Sequence, residues 1–259
     1  MDKKNKNDHP LVSIVTPCYN SAFTIKETID SVISQTYENW EHIIVDDCSI
    51  DNSTDIIADE LAHEPRIKLI KMKSNSGAAA ARNMAIEKSQ GKYIAFLDSD
   101  DLWHPEKLYK QVKFMEENDL SFSFTNYRII KETGERTNKV VIGPKSLDYY
   151  YLLKNTIIGT LTVMLNREKI GPIKMVGNLN CTEDFALWLV LLKKGHHAHR
   201  LNEELAYYRK SKQSDSGNKF KSAKKTWNTY RRTQKISVIK TMWYFSHYSL
   251  NAYRKHAKL

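Results

Sequence analysis

The chain has 259 residues, a formal net charge of +10, 41% hydrophobic and 27% charged residues, enough to bury a substantial core in one α/β domain or a domain with an appendage. Its three cysteines (Cys18, Cys48, Cys181) are far apart and form no CxxC pair, which argues against a disulfide framework or a zinc site and fits a reducing compartment. Met1–Pro10 is polar and rich in Lys and Asn, and no uncharged apolar run reaches a membrane-spanning length, so neither a signal peptide nor a transmembrane helix is expected.

Residues 1–10 read as a disordered tail. Leu11–Thr16 then reads as a buried strand, followed by a helix from about 22 to 35 with Ile25, Ile29, Val32 and Ile33 on one face. His42–Val45 is the next strand and ends in Asp46-Asp47. Asp51 or Ser53 caps a helix to about His63. Ile67–Met72 is a third strand, and a helix from Ala78 closes at Gly91, expected as a C′ glycine. Tyr93–Leu97 is the fourth strand, and Pro105 opens a helix to about Asn118. Strands are then expected over 121–130, 139–142, 160–166 and 199–209, with an apolar helix over 184–194 closed by Gly195. Strand–helix alternation of this kind predicts a mostly parallel, doubly wound sheet over residues 11–215, divided at about 104/105 into a nucleotide-binding half and an acceptor half. Residues 216–259 form a separate basic, aromatic helical extension.

In such sheets ligands sit at the carboxyl ends of the strands. Pro17-Cys18-Tyr19-Asn20, Asp46-Asp47 and Asp98-Ser99-Asp100-Asp101 all fall there. Three carboxylates crowded behind one strand are costly unless a cation or proton relieves them, and hard oxygen ligands suit Mg²⁺ or Mn²⁺ beside phosphates. Taken alone, the same four residues also fit a solvated acidic turn. The small residues of Asn75–Asn83 let a ligand approach a helix N-terminus, where free N–H groups favour anions, with Arg82 one turn in. An alanine run also serves close helix–sheet packing.

Together, Val12–Asn20, Val45–Asp51, Gly77–Asn83 and Leu97–Asp101 resemble the family 2 glycosyltransferases of the GT-A fold, which are inverting and use nucleotide sugars. The resemblance covers about residues 10–215. Asn155–Gly159, the Leu-Lys-Lys-Gly turn and Ala223–Trp227 are similar to members that build teichuronic acid and capsule. Cys48 stands where many members have glycine. The resemblance implies that Pro17, Tyr19, Asn20 and Asp46 line the nucleoside pocket, with Asp47 there or bracing the turn. It implies that Arg82 approaches the diphosphate and Asp100 the ribose. Asp101, with Asp100, would hold a divalent metal (Mn²⁺ or Mg²⁺), and Asp98 would brace the strand end. It also implies a nucleotide-sugar donor, by analogy a UDP-sugar, and a saccharide or lipid-linked saccharide acceptor of a bacterial surface polysaccharide.

Single-step transfer with inversion needs a carboxylate base for the acceptor hydroxyl. Glu183 and Asp184 stand at the start of an apolar helix, where acids also serve simply as favourable N-terminal charges. The resemblance points to Asp184 as base, with Glu183 orienting the acceptor. Tyr207-Tyr208-Arg209, with Ser214 and Ser216, resembles a loop folding over the diphosphate; a basic linker is the other reading. Asp-x-Asp behind a strand also occurs in haloacid-dehalogenase-type phosphatases, where Asp98 would be a nucleophile. Its position fourth in strand order disfavours that class, and the metal and base candidates disfavour a non-catalytic nucleotide-binding protein.

From Arg209 to the end, fourteen Lys/Arg face one acid, Asp215, a charge of +13 that leaves −3 for residues 1–208. With Ile236, Ile239, Trp243 and Leu250 on one helical face, the segment suits an anionic membrane surface, which would make the enzyme cytoplasmic and peripheral on the inner face of the membrane. Packing on the catalytic domain or homodimer formation explains the same face. Nucleic acid is disfavoured, because the rest of the chain is net acidic and carries no binding motif.

Overall fold

The computed structural model describes residues 9–177, 179–210 and 219–257. Strands β1 (Val12–Cys18), β2 (Trp40–Asp46), β3 (Ile67–Lys71) and β4 (Tyr93–Phe96) alternate with helices α1 (Ile25–Ile33), α2 (Ser53–His63) and α3 (Ala78–Lys88). β5 (Leu102–Trp103) leads into α4 (Lys107–Glu117), and β6 (Phe122–Lys131) and β7 (Arg136–Val141) form a hairpin. β8 (Ser146–Leu147), α5 (Tyr149–Lys154), β9 (Met164–Asn166), α6 (Arg167–Ile170), α7 (Glu183–Lys193) and β10 (Ala198–Lys210) follow. α8 (Lys219–Asn228) and α9 (Val238–Ala257) flank a π turn at Thr229–Thr233.

The strands build one sheet in the order β3-β2-β1-β4-β9-β6-β10-β5, with β7 on β6 and β8 on β10. β1 to β4 are parallel, β9 runs antiparallel between β4 and β6, and β6 and β10 are again parallel. Side-chain alternation divides the core between the two faces. Ile14, Ile44 and Ala95 pack with α1, α2 and α4; Val15, Ile43, Val45 and Phe96 pack with α3, α5 and α7. This is the expected mostly parallel, doubly wound α/β architecture.

Local expectations needed revision in two places. Thr160–Thr162 is a 3₁₀ turn, so the strand expected over 160–166 shrinks to β9. Gly91 does not terminate α3, which ends at Lys88; a Cβ at Gly91 would lie 2.6 Å from the Leu11 carbonyl oxygen, so this glycine permits close backbone packing beside β1. Gly195 does close α7, at φ +99°.

The described part of the C-terminal extension is packed on the domain. Tyr230 is fully buried in the core shared with α5 and α7, and its hydroxyl donates to the Leu153 carbonyl at 2.6 Å. Thr229 Oγ1 accepts the Thr182 N–H, and Asn228 Nδ2 donates to the Asn180 carbonyl, so this segment holds the chain immediately before α7. Of the tail expected as disordered over residues 1–10, residues 1–8 lie outside the described residues, as do Ser214 and Ser216 of the expected flexible loop, whereas the His9 and Pro10 carbonyls accept from Asn39 Nδ2 and the Tyr37 hydroxyl.

Candidate active site

The first half of the site is assembled where β1 and β2 end. Asn20 adopts φ 50°; its N–H donates to Ser49 Oγ, and its Oδ1 accepts the Ile50 N–H, stitching the two loops together. Cys48 sits at φ 64°, a left-handed conformation that explains why glycine suits this position in the family. Asp46 is buried. Its Oδ2 accepts the Ser49 N–H at 3.1 Å, whereas its Oδ1 is buried with no donor. A buried carboxylate oxygen without a partner is costly and marks a position prepared for a donor. Pro17, half-buried, pairs with Val45 across β1 and β2, next to Asp46, and Tyr19 is exposed.

Asp47 does not present a free carboxylate. Its two oxygens accept the N–H groups of Ser76 and Gly77 at 2.8 and 2.7 Å, so it braces the loop that opens α3. Gly77 is required there by its φ of +87°. One turn along α3, Arg82 is buried and its Nη2 lies 2.5 Å from Asp98 Oδ1. Burial opposes the guanidinium charge, but Asp98, with Asp184 and Glu183 in electrostatic reach, holds Arg82 protonated above its ordinary range. Asn83 exchanges hydrogen bonds with the backbone of Met175, tying α3 to the segment between α6 and α7.

The turn after β4 is held from α1. Thr24 Oγ1 donates to the Ser99 carbonyl, Thr28 Oγ1 to the Asp101 carbonyl, and Ser21 Oγ lies 2.8 Å from Ser99 Oγ. These Ser and Thr positions carry no sequence periodicity and were missed. Asp101 is buried and its Oδ1 accepts the Arg209 backbone N–H at 2.8 Å. Asp100 is half-buried. Burial, with the charge of Asp98, pushes Asp100 up to about 6, and burial with Asp100 and Asp98 pushes Asp101 well up.

Arg209 corrects the sequence reading most clearly. It is only 2% exposed, and its guanidinium is spent inside the protein: Nε donates to the Asp100 carbonyl, Nη1 to the Glu132 carbonyl and Nη2 to Glu27 Oε2. It clamps the acidic turn from behind, with three of its five N–H groups engaged and the side chain buried away from solvent. Its partners come from α1, the β4–β5 turn and the β6–β7 hairpin, which no local pattern reveals.

Across the site, Glu183 and Asp184 form the first turn of α7, both half-buried. Asp184 Oδ2 accepts the Thr160 hydroxyl, and its Oδ1 accepts the Phe185 N–H. Thr160 lies in the 3₁₀ turn mistaken for a strand, so its role was not visible. The fold therefore places the two acids of α7 within electrostatic reach of Arg82, which pairs with Asp98.

The sequence model of the family described as "Glycosyl transferase family 2" matches residues 13–170 of this chain. The Bacillus subtilis protein TuaG, described as a teichuronic acid biosynthesis glycosyltransferase, is 48% identical over 249 residues, covering 96% of this chain and 98% of its own. The chain belongs to glycosyl transferase family 2. This glycosyltransferase is also 38% identical, over 96% of each chain, to the Escherichia coli protein WfgD, a UDP-Glc:α-D-GlcNAc-diphosphoundecaprenol β-1,3-glucosyltransferase. In structure it is similar to Staphylococcus aureus TarS residues 1–349 in complex with UDP-GlcNAc, with TM-score 0.70 and 18% identity over 92% of this chain and 71% of that one. It also resembles the mannosyltransferase PcManGT of Pyrobaculum calidifontis in complex with GDP-Man and Mn²⁺, with TM-score 0.68 and 17% identity over 97% and 76% of the two chains. These likenesses establish the GT-A fold; the enzyme is a glycosyltransferase related to those of capsular polysaccharide synthesis.

The acidic turn suits a divalent cation of one kind only. Among the described residues, no three His, Cys, Asp or Glu side chains converge into a cage for a metal ion. Mg²⁺-type sites on nucleotides need only one or two protein carboxylates, the substrate phosphates supplying the rest. Crowded carboxylates whose ionised forms are penalised by burial and mutual repulsion fit such a shared ion.

Proposed function

We propose that this glycosyltransferase moves a sugar from a UDP-sugar to a saccharide acceptor, lipid-linked or on a growing surface polysaccharide, by a single inverting displacement. The observation that carries the reading is the juxtaposition of two acid sets: Asp98–Asp101 behind β4, and Glu183-Asp184 at the start of α7, bridged electrostatically by Arg82. The relatives TuaG and WfgD, which this chain covers almost completely, support the acceptor class, and the UDP in WfgD's description supports the nucleotide.

In this reading Asp46 Oδ1 accepts the uracil N3–H, while Pro17 and the exposed ring of Tyr19 border the base. Asn20 and Asp47 shape the pocket through the loops they brace. Asp100, the accessible member of the pair, would hold a divalent cation; Asp101, which the resemblance also names as a ligand, is buried with its Oδ1 on the Arg209 N–H and fixes the turn. A divalent cation bound there would neutralise charge developing on the departing diphosphate. Arg82 adds positive potential on the same side while keeping Asp98 in place. Asp184 takes the proton of the acceptor hydroxyl as it attacks the anomeric carbon, and Thr160 fixes that carboxylate's orientation. Glu183 lies beside the acceptor.

The test is isothermal titration with UDP, GDP and dTDP, each with and without Mn²⁺, followed by product analysis with the corresponding sugars. Tightest binding by UDP, enhanced by Mn²⁺ and lost in Asp100→Asn, is expected. Preference for another nucleotide, or metal-independent transfer, would overturn the assignment.

A further inference from the structure

The helical extension presents two faces, and only one is used by the fold. Thr241, Tyr244, Phe245 and Tyr248 of α9 turn inward, with Tyr244 and Phe245 packed against the core and Phe245 edge-on to Trp227. The opposite stripe is apolar and open to solvent: Ile239 is 78%, Met242 52%, Trp243 50% and Leu250 55% exposed. These residues lie on one face of α9, with the exposed Ser246 between Trp243 and Leu250. An apolar strip left in water calls for a covering surface.

Charge identifies that surface. Residues 216–259 contain eleven Lys/Arg and no Asp or Glu. Arg232 and Lys235, in the turn entering α9, and Lys240 within it are exposed. Trp243 carries the cation of Lys154 over its ring at 4.8 Å, which anchors an amphipathic aromatic at the edge of the strip. Among the described residues, no helix is long and apolar enough to cross a membrane. An apolar strip with a cationic border and no acid suits the interface plane of an anionic bilayer, where side chains such as Trp settle at the headgroups. We propose that α9 is a docking helix that lays Ile239, Met242, Trp243 and Leu250 into an anionic lipid surface, with Arg232, Lys235 and Lys240 on the headgroups.

The docking helix is linked to the site by direct packing. α9 packs on α5, where Asn251 Nδ2 donates to the Lys154 carbonyl at 3.1 Å. α5 in turn packs on α7, whose first turn carries Asp184. Docking therefore sets the acceptor half at a defined height above the lipid. This orientation, unlike the docking itself, rests on Asp184 being the base.

The experiment is flotation of the full chain with vesicles of phosphatidylcholine alone or with one third phosphatidylglycerol. Binding to the anionic vesicles, little binding to the neutral ones, and release by high salt are expected. Lys235→Ala with Lys240→Ala should weaken binding about thirtyfold, or about fivefold per charge near the surface. Ile239→Ser with Trp243→Ser should abolish it while the chain stays folded, with only a small fall in melting temperature, since Ile239 is exposed and Trp243 half exposed. As a second readout, binding should blue-shift Trp fluorescence in the native chain and not in Trp243→Phe. Absence of flotation, or flotation indifferent to both double variants, overturns the proposal. So does a dimer in solution that Ile239→Ser/Trp243→Ser converts to monomer, since a second copy would then cover the strip. Retention on duplex DNA as strong as on the anionic vesicles overturns it too, marking a non-specific polycation.

Discussion

Replacing Arg209 by Met separates a structural clamp from a diphosphate ligand. The guanidinium is buried and donates to two backbone carbonyls, of Asp100 and Glu132, and to Glu27. A bond from a charged donor to a buried acceptor contributes about 1.5–3 kcal/mol, which methionine loses at the half-buried Asp100 carbonyl; at the exposed Glu132, where water replaces the donor, the loss is about 1 kcal/mol. The Glu27 pair adds less, because that carboxylate is half exposed and screened. The loss is therefore about 3–5 kcal/mol, which at roughly 2–4 °C per kcal/mol for a chain of this size lowers the melting temperature by about 10 °C. Lysine fills the volume but offers one donor group in place of a planar fork, so Arg209→Lys should recover less than half of the loss. Differential scanning fluorimetry measures the first effect, and UDP titration below the melting range measures binding. A fall in stability with UDP affinity within about threefold of native is expected. An unchanged melting temperature with UDP binding lost would refute the clamp and return Arg209 to the diphosphate.

Three further outcomes follow from the same geometry. Thr160→Val removes the hydroxyl that orients Asp184; kcat should fall about 10–100-fold with little change in donor KM, and Thr160→Ser should restore most of it. Steady-state kinetics at saturating acceptor checks this, and a change confined to donor KM would contradict it. Asp46→Asn exchanges one acceptor oxygen for a donor and should weaken UDP binding about tenfold or more, as titration calorimetry would show. Lys107 is fully buried, and burial pulls its pKa down to about 7, against roughly 10.4 in an unfolded chain. Between those values the unfolded state binds the extra proton, so its contribution makes stability rise with pH by at most about 1.4 kcal/mol per unit. Lys107→Met should flatten that rise in chemical denaturation between pH 7 and 10, and an identical slope in both proteins would contradict it.

The parts of the fold that were legible in the sequence are those whose signal is local. β1, β2 and β4 are apolar runs ending in polar residues, and this alone located the carboxyl-end site. β5 and β8 have two residues each, too few for any period, and β9 was hidden by the turn that precedes it. Arg209 looked like the start of a basic linker because Lys210 and Lys212 follow it; its partners lie 77 to 182 residues away. The resemblance gives Asp100 the ribose and Asp101 the metal, but the sequence does not show that Asp101 is buried and Asp100 the more accessible of the two. The extension was read as an appendage from its charge, yet Tyr230 belongs to the core, because composition averages over a buried face and an exposed one.

The central claim is that the two acid sets divide the work, Asp98–Asp101 serving the leaving group and Asp184 the acceptor. Asp184→Asn keeps the size and the contact with Thr160 while removing the base. Measured side by side, transfer from the UDP-sugar should fall by at least about a thousandfold while the Kd for UDP with Mn²⁺ stays within about threefold of native. Native-like turnover in this variant, or loss of UDP binding in parallel with turnover, would contradict that division.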